Sequence, residues 1–244
     1  MQTSPNRVRR TQAKYPRHRV RIIGDGSNLT NIHLSGSRVL QGGSFIGANF
    51  KNANLAKASL KKSNLSQANL HSATLAGADF TGANVQGADL RQAQATKARF
   101  VGASLQGADL RNATMAGTDN SVASFNDANL MGATFMRARF TGASLHRSNL
   151  GSATLNQATF HGAILQGANL AGVQARQANF TGVNLQQADL KHGDFRGANF
   201  TDANLRLADL QLGNFQGSLF TGSNLQEANT TGTLIPLGAY RLYR

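Results

Sequence analysis

The chain of 244 residues contains no cysteine, so it has neither a disulfide framework nor a thiolate metal site. That absence fits a reducing compartment. Proline is scarce, with Pro5, Pro16 and Pro236 its only occurrences. Acidic residues are few as well: 11 Asp and Glu stand against 25 Lys and Arg, a formal charge of +14. No apolar run reaches the length of a signal peptide or a membrane span, so no transmembrane segment and a cytoplasmic location are expected. No phosphate loop or nucleotide fingerprint occurs. His71, His146, His161 and His192 fall at unrelated phases of the chain, which predicts no metal cluster. No concave carboxylate pair is suggested either, so neither catalytic residues nor a cofactor are expected.

What the chain has is a period. Of the 37 multiples of five from Phe45 to Leu225, 32 are Leu or Phe; the exceptions are Val85, Ala95, Met115, Asn120 and Ala175. A second column, two residues ahead of each such position, is Ala in 28 of 37 cases from Ala48 to Ala228. A helix does not explain this, because residues five apart differ by about 140° around a helix and never build one face. A long flat strand fails too, since an odd period throws successive Leu residues to opposite faces. A short extended segment followed by a corner satisfies it. In Ala68-Asn69-Leu70, Ala and Leu point to one side and Asn to the other, where its side chain can bond to nearby backbone. Glycines such as Gly77, Gly82 and Gly102 then supply corners that need positive φ.

A second period of twenty sets the number of sides. Phe80, Phe100, Asn120, Phe140, Phe160, Phe180, Phe200 and Phe220 form one column. Four five-residue sides per coil stack residues twenty apart at roughly 4.8 Å and place a Phe ladder on one inner wall. About nine to ten coils follow, a rod on the order of 45 Å long. The A(D/N)Lxx pattern, seen in Ala68-Asn69-Leu70 and Ala108-Asp109-Leu110, resembles that of the pentapeptide-repeat proteins. The resemblance implies an all-β fold, a right-handed quadrilateral parallel β-helix. It implies no single function: some members resemble the surface of DNA and bind bacterial gyrase, and related rods often pair through their C-terminal ends.

The chain divides into a basic arm (1–24), the repeat (25–235) and a short tail (236–244). Residues 1–62 hold 12 of the bases and one acid. The arm carries Arg7, Arg9, Arg10, Lys14, Arg17, Arg19 and Arg21, a pattern for nucleic acid or another polyanion, with a solvated tail or a targeting peptide as the plainer alternatives. Val20, Ile22 and Ile23 are expected to cover the open end of the rod. Leu34 to Leu40 is one residue too long, which predicts a bulge near Gly36.

Sorting residues 41–230 by remainder after division by twenty gives 11 bases and three acids at remainders 11–19. Remainders 1–9 hold four bases and seven acids. An electrically two-sided rod is predicted, with Lys97, Arg99, Arg137 and Arg139 clustered on its basic side. Asn120, in the Phe column, is expected to bond inward backbone groups or to mark a slight bend. Leu237, Tyr240, Leu242 and Tyr243 are candidates for a C-terminal cap or a homodimer contact.

These features predict a non-enzymatic interaction rod that docks on an acidic protein assembly or nucleic acid. The alternatives are a structural component of a larger particle, such as a virion or pigment–protein assembly, and a DNA-mimic modulator of gyrase. The positive charge opposes the last.

Overall fold

The computed structural model describes residues 9–10 and 22–235. Within the repeat each interior pentapeptide from Asn64 onward contributes one parallel bridge to the coil above and one to the coil below. Asn49 pairs with Asn69, Asn69 with Asp89 and Asp89 with Asp109, and this column continues in steps of twenty to Asn229. Three more columns run beside it, containing Ser44–Asn64–Asn84, Asn54–Thr74–Gln94 and Ser59–Asp79–Arg99. They define four sides, designated A (Asn64), B (Asn69), C (Thr74) and D (Asp79) in chain order. No helix occurs among the described residues.

The backbone polar groups account for this geometry almost completely. Take the unit around Phe50. Phe50 N–H donates to Asn69 of the next coil, Asn52 N–H to His71, and Asn54 N–H back to Ile32 of the coil before. Ala53 N–H closes a β-turn onto Phe50 C=O at 2.9 Å. The remaining donor, Lys51 N–H, is taken by the Oδ1 of Asn49 at 3.1 Å. The Asn/Asp position of the motif is thus a local cap, as its chemistry predicts. Each turn carries positive φ at its third residue, the mark of a type II turn. Where that residue is Gly the conformation is free of strain; at Val122 (φ 51°) a β-branched side chain is forced into it.

The interior is built from the two apolar columns of each side, essentially all fully buried. The Phe ladder on side D is present. Ring centroids lie 4.6 Å apart for Phe80–Phe100, 4.7 Å for Phe140–Phe160, 5.0 Å for Phe160–Phe180 and 4.9 Å for Phe180–Phe200, nearly parallel throughout. A shorter ladder joins Phe195 to Phe215 on side C at 4.8 Å. Its rings fold back over their own coil, so a Cβ added at Gly193 would overlap the Phe195 ring and one at Gly213 would lie 2.6 Å from Phe215. Gly therefore replaces Ala two residues before each of these rings.

Asn120 is fully buried between Phe100 and Phe140, and its coil persists, with Asn120 N–H on Arg139 C=O at 2.7 Å. Its side chain does not bond backbone, contrary to expectation. Nδ2 donates to the hydroxyl of Thr118 at 2.9 Å, and that hydroxyl donates to Met115 C=O at 2.8 Å. Asn120 Oδ1 is buried without a partner. Thr118 stands where Ala is usual, so the two departures from the motif form one unit.

At the N-terminal end, β1 (Arg9–Arg10) pairs antiparallel with β2 (Ile22–Ile23). Ile23 also bridges to Ser44 in parallel, so the coil begins at β2, just before Asp25. Ile22 packs against the core, as expected of an end cover, whereas Ile23 is half exposed, and Val20 lies outside the described residues. The extra residue shows as a change of register. Ile23, Asn28 and His33 bridge across 21 residues, and Ser44 and every later position across 20. The insertion falls within residues 37–40, on side D, where no bridge forms.

Candidate interaction surface

The outward charges follow from the columns. On side B, Asp89, Asp109 and Asp189 cap the following turn and are met by the base two residues on. Arg91 reaches Asp89 at 2.6 Å, Arg111 reaches Asp109 at 2.7 Å and Lys191 reaches Asp189 at 3.1 Å. Arg91 and Lys191 also lie 3.7 and 3.9 Å from the Asp of the next coil. This pairing corrects the two-sided charge reading. Dividing the coil at its tenth residue puts Asp89 and Arg91 on opposite sides, yet they are neighbours across one corner and neutralise each other. The Arg91 guanidinium is the main cause that holds the Asp89 carboxyl below its ordinary value. At Asp109 partial burial pushes upward and is outweighed by the bonds from Arg111.

Lys97, Arg99, Arg137 and Arg139 are brought together. Lys97 and Arg137 occupy the corner between sides C and D, and Arg99 and Arg139 the outer face of side D, all exposed. Their ionic contacts are loose: Arg99 is 4.0 Å from Asp79 and Arg139 is 3.8 Å from Asp119, with 57% and 64% of the two arginine side chains exposed. Asp79 is already engaged by Lys61 at 3.1 Å and by the Thr81 hydroxyl at 2.6 Å. Arg137 donates to Gln157 at 2.7 Å, and Lys97 has no ionic partner among the described residues. The bases of this corner are less closely neutralised than those of side B.

Further along the same corner, Arg176 and Arg196 converge on Asp194 at 2.7 and 2.8 Å. The Arg196 bond is the largest of the causes that hold the Asp194 carboxyl far below the usual carboxylate range. The two arginines and Gln157 line a shallow groove of 490 Å³. The sequence reading missed this convergence, although the shared phase of Arg176 and Arg196, twenty apart, signals it. It also missed a cleft beside Arg38, Lys57 and Lys61 at the N-terminal end. Among the described residues no group of acidic or histidine side chains is placed to hold a metal ion. No helix among them is long and apolar enough to cross a membrane. Of the arm's bases, only the backbone of Arg9 and Arg10 falls within the described residues. Arg7, Lys14, Arg17, Arg19 and Arg21 lie outside them, as do Leu237, Tyr240, Leu242 and Tyr243.

A family model described as pentapeptide repeats matches residues 39–71, 73–112, 143–182, 178–217 and 198–233, and a second of the same description matches 100–149. No curated protein sequence matches the chain significantly. Among solved structures, the chain is similar to HetL, a pentapeptide repeat protein involved in heterocyst differentiation regulation from the cyanobacterium Nostoc sp. strain PCC 7120. The identity is 27% over 88% of this chain and 93% of that one, with a TM-score of 0.44. It is also similar to AT2G44920, a pentapeptide repeat protein from the Arabidopsis thaliana thylakoid lumen (31% identity, 36% of this chain and 64% of that one, TM-score 0.35). A third is a trypsin-treated variant of QnrB1, a plasmid-mediated fluoroquinolone resistance protein (18% identity, 85% and 88% covered, TM-score 0.42). With the repeat models matching most of its length and its pentapeptides closing turns with positive φ at the same position, this chain belongs to the pentapeptide repeat family.

Proposed function

We propose that the chain is a non-enzymatic interaction rod, a right-handed quadrilateral β-helix of nine to ten coils. It docks through its basic arm (residues 1–24) and the corner of Lys97, Arg99, Arg137 and Arg139 onto an acidic protein assembly or nucleic acid. The observation that carries this reading is the contrast between two corners. Beside side B, Arg91 and Arg111 sit at 2.6 and 2.7 Å from their own aspartates, whereas Arg99 and Arg139 stand 4.0 and 3.8 Å from theirs. Charge on side B is spent within the coil; charge on side D remains available to a partner. The same contrast weighs against a DNA mimic, because the Asp column such a surface would present is capped by Arg91, Arg111 and Lys191. The tail residues Leu237, Tyr240, Leu242 and Tyr243 are proposed as a contact to a second copy.

The test is a salt-titrated pull-down from lysate with the full chain, a chain starting at Gly24, and the Arg99→Gln/Arg139→Gln variant, each with and without nuclease. Docking on nucleic acid predicts loss of the partner with truncation and with nuclease, and a steep decline with salt. Docking on protein predicts the same truncation effect without the nuclease effect. Retention of every partner by both the truncated chain and the variant would refute the reading.

A further inference from the structure

The insertion on side D borders a cleft. In later coils the N–H of the Leu or Phe residue donates to the next coil, as Leu60 does to Asp79 C=O at 2.8 Å. Leu40 N–H makes no such bond to Ser59, whose own N–H donates back to Ser37 C=O in the usual way. The chain between them bows outward, Val39 is 53% exposed, and a cleft of 530 Å³ forms between the first and third coils. Arg38, Lys57 and Lys61 converge on it, and Gly36 and Gly77 leave its rim low. A Cβ at Gly36 would meet nothing within 4 Å.

Its charge is unbalanced. The one acid in the cleft, Asp79, is bonded by Lys61 and Thr81, while Arg38 and Lys57 have no ionic partner among the described residues. Open donors lie beside the cations here. In neighbouring units an Asn carbonyl caps the N–H two residues on, as Asn54 does for Ala56 and Asn64 for Ser66. At this site the capping position is Ser59, whose hydroxyl forms no hydrogen bond among the described residues, and Lys61 N–H is left open on the outer surface, as Gln106 N–H is after Ser104. Two unpaired cations, a paired lysine, a free hydroxyl and an open amide around one hollow match the oxygens of a tetrahedral dianion. The chain's own arm, which holds no acid before Asp25, is not a suitable occupant.

We propose that this cleft binds a phosphate group, as the free ion or as the terminal phosphate of a small phosphomonoester, with Arg38 and Lys57 as its principal charge partners. The site stands on its own geometry and does not require the docking reading.

The experiment is calorimetric titration of the full chain with inorganic phosphate and with phenyl phosphate at constant ionic strength, using chloride as the control. Saturable one-to-one binding is expected, weakened at least tenfold in Arg38→Gln/Lys57→Gln. It should change less than twofold in Arg147→Gln/Arg206→Gln, which removes as much charge elsewhere on the rod. Deletion of Val39 keeps both cations but restores the twenty-residue register, and should abolish binding while circular dichroism and melting show the rod intact. Free phosphate alone binding identifies the ion as ligand; phenyl phosphate binding at least as tightly identifies a monoester. Absence of saturable binding, or equal weakening by the two charge variants, would overturn the proposal while leaving the pull-down result untouched.

Discussion

At the scale of the residue, the pentapeptide is informative where it is obeyed and more so where it is broken. The Leu/Phe and Ala columns and the capping role of Asn are legible in the sequence because each is a consequence of period five on an extended backbone. The Thr118–Asn120 pair is legible only in half. Asn120 stands out in a Phe column, but its partner is the Thr118 hydroxyl rather than the expected backbone, and Thr118 passes for a conservative replacement of Ala. A hydroxyl two residues away on the same inner face is the signal that identifies it. Their coupling is measurable. Thr118→Ala alone orphans the Asn120 amide and should cost about 1–3 kcal/mol. Asn120→Phe alone must crowd against Thr118. Thr118→Ala/Asn120→Phe restores the ladder between Phe100 and Phe140 and should exceed wild type by about 2 kcal/mol in denaturant unfolding. A double variant no better than the sum of its singles would show that the two side chains are independent. Val122 gives a second case. It holds φ 51° with its side chain 64% exposed, so packing does not repay the strain. Val122→Asn should stabilise by about 1 kcal/mol, since Asn tolerates the left-handed region. No rise in the denaturation midpoint would show that the backbone there is relaxed.

At the scale of the element, each side of the coil is a stack whose outer column decides its electrostatics. Remainder arithmetic places a residue in a column, yet it does not say which columns lie within reach of one another. That is why the Asp89–Arg91 pairing escapes the sequence reading and the clustering of Arg99 with Arg139 does not. The paired carboxylates also set a pH dependence. Asp89, Asp109 and Asp194 have values lowered in the folded chain. Arg91 is the foremost cause at Asp89 and Arg196 at Asp194; at Asp109 burial opposes the shift and the Arg111 bonds overcome it. A lowered value means that the folded state binds fewer protons than the unfolded one. The stabilisation is therefore full above the ordinary carboxylate range, about 4, and is lost as pH falls through the depressed folded values. Melting temperature should be flat near neutrality and fall in acid below about pH 4. Asp194→Asn, which keeps an oxygen for Arg196, should melt lower than wild type at neutral pH and converge with it in acid. A gap that stays constant with pH would assign the loss to geometry rather than charge.

At the scale of the whole molecule, the coil of twenty is the unit of stability, because each coil bonds only its neighbours. Two deletions therefore have sharply different consequences. Removing residues 141–160 takes out one coil and joins Phe140 to His161 in the phase that Thr141 held, so that Phe180 stacks directly on Phe140 and every outer column stays aligned. The shortened rod should unfold cooperatively with an unchanged circular dichroism shape and a denaturant m-value smaller in proportion to the surface lost. Removing only 141–145 also preserves the Leu/Phe period, so local turns still close. It advances every later residue by one side, which ends the Phe140–Phe160 stack and turns the Asp194 cluster away from the Lys97–Arg139 corner. This shorter deletion should cost more stability than the longer one, although it removes a quarter as many residues. Such an inversion cannot arise in a chain where burial alone sets stability, since there the loss grows with the number of core residues removed. If the five-residue deletion proved the milder, the Phe ladder and the twenty-residue phase would be a by-product of the repeat rather than the order that holds the rod together.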